Sequence, residues 1–201
     1  MNRRPSLRLA RALAALVLLS LIIDLVLKRP ADRHEIMWAC YWASITLAVG
    51  IFIRSDRLVS AGVIFFLGLG LPVWLLGIIV DSQVEITSVL LHTVPLIAGL
   101  NYVSSMTTVP RYSALGAWLL YVVPFSLAWQ LCDPRAMINL SHWSRWPLPD
   151  LVPHAWQFSL FLLATSAAAV SVVARVMNSF LLRKSALSTQ TQDAPSSAHV
   201  V

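Results

Sequence analysis

Charge is scarce in this chain. Only 12% of its 201 residues are Asp, Glu, Lys or Arg, against roughly a quarter in an ordinary soluble domain. With 58% hydrophobic residues and a mean hydropathy of +0.73, there is too little polar surface to dissolve a globule, and the composition is that of an integral membrane protein. Cysteine is equally sparse. Cys40 and Cys132 are the whole complement, which excludes a disulfide-built scaffold. Both fall near the outer ends of their apolar runs, so a bridge between them is geometrically open, but free thiols are the plainer expectation. The sequence also lacks metal-ligand spacing, a glycine-rich phosphate loop and any internal repeat, which excludes zinc modules, P-loop enzymes and solenoids.

What the chain does have is long apolar runs. A helix needs about 20 mostly apolar residues to cross a bilayer, and six such runs can be read, at about Leu9 to Leu27, Ile36 to Ile53, Leu58 to Val80, Val84 to Met106, Tyr112 to Cys132 and Trp156 to Leu182. The predicted architecture is therefore all-α: one six-helix transmembrane domain over residues 1–182, followed by a polar tail, 183–201, with the composition of a disordered segment. The first run contains Asp24 and lacks a small-x-small cleavage site, so it reads as an uncleaved helix.

The net charge of +6 would suit nucleic acid, but its placement suggests orientation instead. Arg3, Arg4, Arg8, Arg11, Arg54, Arg57, Arg111, Arg175, Arg183 and Lys184 would lie on one side of a six-span protein, and the other five basic residues on the other. The positive-inside rule then puts both termini in the cytoplasm. No nucleic-acid partner is expected.

Inside a bilayer every polar group needs a protein partner, so polar residues within the runs are the informative positions. Asp24 precedes Lys28 by one turn, the spacing of an ion pair. Serine and threonine hydroxyls usually bond their own backbone. His92 is harder to explain. It sits well inside the fourth run, where its neutral form is expected, with one nitrogen donating and the other free to accept a proton. Pro95 cannot donate to the carbonyl of Leu91, which opens the helix beside it. Ser88, His92 and Pro95 share a face, and Asn101 points away. Thr46 in the second run lies about 15 Å deep and His92 about 12 Å, on the assumption that both runs start at the same surface. A hydroxyl and an imidazole at one level are the minimum for a nucleophile and its base. Ser44 competes with Thr46 for the role of hydroxyl.

Three segments resemble a known family. WASITL places Trp42 one turn before Thr46, HTVP sets His92 and Thr93 before a proline, and HWSRWPLPDLVP is an aromatic, proline-bearing stretch ahead of the last run. They are similar to segments of the androgen-induced and androgen-dependent membrane proteins, which hydrolyse fatty acid esters of hydroxy fatty acids with an intramembrane threonine and histidine. The chain departs from that pattern in carrying Ser88 near where the family has another histidine, and in its short RSDR loop.

The resemblance implies an ester hydrolase with Thr46 as nucleophile, His92 as general base and an acyl-threonine intermediate, needing no cofactor and drawing acyl-chain substrate from bilayer lipids. Ser88 and Thr93 are the candidate oxyanion donors. Trp42, Trp74, Trp129, Trp143 and Trp146 are candidate pocket or lid residues, with Phe65, Phe66, Leu69 and Phe125 as further tunnel wall. Trp143 and Trp146 also fit an interfacial anchoring belt. The competing class is a non-catalytic membrane subunit in which His92 binds a cofactor or joins helices. A bis-histidine haem is disfavoured, because His34, His142, His154 and His199 all lie in loops or the tail.

Overall fold

The computed structural model describes residues 7–28, 37–81, 86–132 and 155–193. Among these all regular structure is helical: α1 (Leu7–Leu27), α2 (Ala39–Ile53), α3 (Asp56–Phe65), a π-helical turn (Phe66–Gly70), α4 (Leu71–Asp81), α5 (Ile86–Val103), α6 (Ser113–Leu131) and α7 (Ala155–Asp193). The α3, π and α4 segments form one rod. That rod, α1, α5, α6 and α7 are long and apolar enough to cross a membrane, whereas α2, with 15 residues, is a shorter apolar helix of about 22 Å. The outward face carries Ile22, Val26, Ile53, Ile79, Ile97, Phe161 and Phe180 in the open. Such a surface would aggregate in water and is stable against lipid. The protein is an integral, multi-pass membrane protein.

The α2–α3 hairpin organises the bundle. Arg54 ends α2 in the left-handed region at φ 59°, its N–H returning to Gly50 and Ile51, and the Ser55 N–H bonds Gly50 O at 2.8 Å. The Ser55 hydroxyl in turn accepts from the Leu58 N–H and caps α3. Two residues thus reverse the chain, and α2 and α3 lie antiparallel in close contact. Glycine makes this approach possible, since a Cβ at Gly50 would stand 2.8 Å from Leu58 Cβ, and one at Gly62 2.9 Å from Leu47 Cβ. α3 takes the centre, against α2, α5, α6 and α7, while α1 closes the side formed by α2 and α5.

The third rod owes its π turn to Pro72, which has no N–H to return to the preceding turn. Widening the helix at Phe66–Gly70 absorbs the missing bond without breaking the rod. α7 differs from the sequence expectation. It runs on from Leu182 to Asp193, so residues 183–193, expected in the disordered tail, are helical. Its 39 residues measure about 58 Å, nearly twice the hydrocarbon core of a bilayer. The rest of the expected tail, 194–201, and the Trp143 and Trp146 segment lie outside the described residues.

Polar groups within the helices are satisfied much as the sequence suggests. Asp24 is 3% exposed and pairs with Lys28 at 3.6 Å, and it also accepts the Tyr41 hydroxyl of α2. Thr93 bonds Val89 O and Thr165 bonds Phe161 O, each at 2.7 Å. Asn178 accepts the Val109 N–H at 3.0 Å and so ties the α5–α6 connection to α7.

Candidate functional site

His92 is held on every side. Its Nδ1 lies 2.8 Å from the carbonyl oxygen of Ser88, one turn earlier on α5. A carbonyl only accepts, so the proton sits on Nδ1 and Nε2 presents a lone pair. That lone pair faces Cys40 Sγ on α2 at 3.1 Å, and the thiol is therefore the donor. Trp74 of α4 stacks on the ring at 4.9 Å between centroids with a 12° tilt, and Phe66 meets it edge-on at 6.4 Å. The Trp74 indole N–H bonds Ser88 Oγ at 2.8 Å. The imidazole is 7% exposed, and Cys40 is half-buried and free.

Chemically this is a thiol hydrogen-bonded to a base whose other nitrogen is oriented by a third group, the arrangement that activates a nucleophile. Were the thiol proton passed to Nε2, the resulting imidazolium would keep its Nδ1–H on the Ser88 carbonyl. Trp74 and Phe66 fix the ring plane, so the nitrogen stays aimed at sulfur.

The expected hydroxyl partner sits elsewhere. Thr46 lines a groove of about 320 Å³ between α2, α3 and α6, with Trp42, Leu58, Ala61, Gly116 and Pro124 among its walls and His92 not among them. The helical period accounts for this. Thr46 is six residues from Cys40, about 120° around α2, whereas Ser44 and Leu47 lie within about 60° of each other on the stripe that bears Cys40. Leu47 packs so closely on α5 that a Cβ at Gly99 would lie 2.8 Å from its Cδ1. Cys40 thus pairs with His92, and seven residues on Leu47 pairs with Gly99, so α2 and α5 run parallel and in step.

The chain matches no family model, no curated protein and no solved structure.

The remaining candidates divide. Ser88 Oγ accepts the Trp74 N–H, and Thr93 donates its hydroxyl proton back to Val89, so Thr93 has none left for an oxyanion. Trp74 belongs to the His92 cluster. Trp42 belongs to the Thr46 groove, and Trp129 lies tilted against Phe125 at 6.4 Å, in neither place. Trp143 and Trp146 fall outside the described residues. Among the described residues no group of His, Cys, Asp and Glu is arranged to hold a metal.

Sequence reasoning passed over Cys40. The signal was the i, i+4 pair of Cys40 and Ser44 on the face of α2 that also carries Leu47, opposite the Ser88 and His92 stripe of α5.

Proposed function

We propose that the chain is a six-span membrane enzyme, both termini cytoplasmic, that transfers an acyl group from a lipid ester to water, with Cys40 as nucleophile and His92 as general base. The observation that supports this reading is the continuous run from the Cys40 thiol through His92 to the Ser88 carbonyl, at 3.1 and 2.8 Å. The substrate class follows from the setting. Both groups sit in apolar helices, Cys40 in the first turn of α2, where an ester linkage would lie while its acyl chains remain in lipid. The resemblance of WASITL and HTVP to the androgen-induced family points to the same reaction class with a different nucleophile, and the proposal keeps its base while moving the attack from Thr46 to Cys40.

The test is hydrolysis of p-nitrophenyl octanoate by the purified full chain, together with labelling by a lipophilic iodoacetamide. Cys40→Ala and His92→Ala are expected to abolish hydrolysis, Cys40→Ala to abolish labelling, and Thr46→Ala to leave both intact. Loss of hydrolysis in Thr46→Ala with full activity in Cys40→Ala would restore the threonine as nucleophile. A second reading has its own support, since Trp74, Ser88 and Cys40 saturate the ring and join α2, α4 and α5. Under that reading His92 is a non-catalytic joint, and none of the three variants would change ester turnover relative to a protein-free control.

A further inference from the structure

Several serine and threonine hydroxyls within these helices donate to a carbonyl of their own helix. Ser20 donates to Val17 O, Thr93 to Val89 O, Thr165 to Phe161 O and Ser166 to Leu163 O, at 2.7 to 2.9 Å. Ser44 does not. It is 0% exposed, and its Oγ has no hydrogen-bond partner. A buried hydroxyl without a partner costs free energy that alanine would avoid, so its presence calls for a reason.

Its position supplies one. Ser44 follows Cys40 by one turn, about 6 Å along the axis and about 40° around it. It lies between the two contacts, Cys40 with His92 and Leu47 with Gly99, that define the face of α2 turned to α5. We infer that the Ser44 hydroxyl is the oxyanion donor for acyl transfer at Cys40, an inference that rests on the Cys40–His92 reading above.

The step is as follows. The Cys40 thiol proton moves to His92 Nε2 as sulfur bonds the ester carbonyl carbon, and the carbonyl π pair moves onto oxygen. That oxygen, directed along α2, receives the Ser44 O–H. When the carbonyl re-forms, the carbon–alkoxy bond breaks, the leaving oxygen takes the proton from Nε2, and an acyl thioester remains on Cys40. Water then attacks, giving its proton to Nε2, and the oxyanion forms again against Ser44. Cleavage of the carbon–sulfur bond releases the fatty acid and returns the proton to sulfur. A donor that engages only when charge develops stabilises the transition state rather than the bound ester.

The test compares wild type, Ser44→Ala, Ser44→Thr and Cys40→Ala as full chains in detergent, with p-nitrophenyl octanoate as substrate and thermal unfolding as the second readout. Ser44→Ala is expected to lower kcat about 10²–10³-fold with KM unchanged. Its Tm should be equal to or above that of wild type, because no bond is lost. Ser44→Thr, which keeps a hydroxyl, should recover part of kcat. Full kcat in Ser44→Ala, with Cys40→Ala inactive, would overturn the oxyanion assignment alone. A fall in Tm or failure to fold in Ser44→Ala would overturn it too, by showing a structural bond. Turnover in Cys40→Ala equal to wild type, or no turnover in wild type, would remove the acyl-transfer reading and this inference with it.

Discussion

A methyl group added at Gly99 would stand 2.8 Å from Leu47 Cδ1 and would also collide with Val63 Cγ2, whereas one added at Gly77 would meet nothing within 4 Å. Real Cβ atoms essentially never come so close, so the Leu47 and Val63 side chains would have to shift. Gly99→Ala is expected to destabilise the protein by about 1–3 kcal/mol, read as a lower unfolding midpoint in detergent. Gly77→Ala, in an exposed helix, should be neutral or stabilising by about 0.4–1 kcal/mol. Equal midpoints for the two variants would contradict the close packing of α2, α3 and α5. The other sensitive position is Asp24, which is buried between α1 and α2 and serves both Lys28 and the Tyr41 hydroxyl. Asp24→Ala removes the acceptor common to both and should cost about 1–3 kcal/mol. Lys28→Ala removes only the partner at 3.6 Å and leaves the Tyr41 bond in place, so it should cost less than Asp24→Ala. Chemical denaturation of the two variants separates these values, and a Lys28→Ala effect as large as that of Asp24→Ala would mean that the ion pair, rather than the Tyr41 bond, carries the site.

Between elements, the decisive geometry is the parallel register of α2 and α5, and cysteine pairs can measure it. In a background lacking Cys40 and Cys132, Leu47→Cys with Gly99→Cys is expected to form a disulfide under mild oxidation in membranes, since the added Cβ at Gly99 stands 3.6 Å from Leu47 Cγ. Thr46→Cys with His92→Cys should not link, and efficient linking of that second pair would return the hydroxyl and the imidazole to one site. This register also marks how far the sequence could be read. The apolar runs were legible because a bilayer demands about 20 such residues, and α1, α5 and α6 fall within three residues of their expected limits. Asp24 with Lys28 and the back-bonded Thr93 were legible because their partners lie one turn away. Apart from the family resemblance, Thr46 was placed level with His92 by depth, and depth misled for two physical reasons. Cys40 is the second residue of α2 and His92 the seventh of α5, so α5 begins farther out than α2, and equal counts from their starts do not mean equal levels. Depth also carries no rotation, and it is rotation that turns Thr46 toward α6. The π turn had a local cue, Gly68 and Gly70 just before Pro72, but the stacking of Trp74 on His92 depends on how two rods pack and has no local signature.

At the scale of the whole molecule, basic side chains among the described residues gather at one end. Arg54, Arg57, Arg111, Arg183 and Lys184 lie at the α2–α3 turn, the α5–α6 connection and the projecting part of α7, while Lys28, at the other end of α1, is neutralised by Asp24. The projecting part of α7 is fastened there, since the Lys184 ammonium donates to Ser104 O at the end of α5. On the cytoplasmic side of a membrane such a collar is favoured, so the residues around Arg54 are expected inside and Lys28 outside. The element on which this arrangement turns is α2, whose length of about 22 Å is short of the roughly 30 Å core. If α2 crosses, as the antiparallel α2–α3 hairpin requires when α3 begins a full span at Asp56, then Lys28 and Ser55 must face opposite compartments. Single-cysteine variants at these two positions decide the matter in intact cells treated with an impermeant maleimide. Lys28→Cys is expected to react without permeabilisation and Ser55→Cys only after it. Labelling of both from outside would mean that α2 enters and leaves the same leaflet, and the number of crossings would then be five.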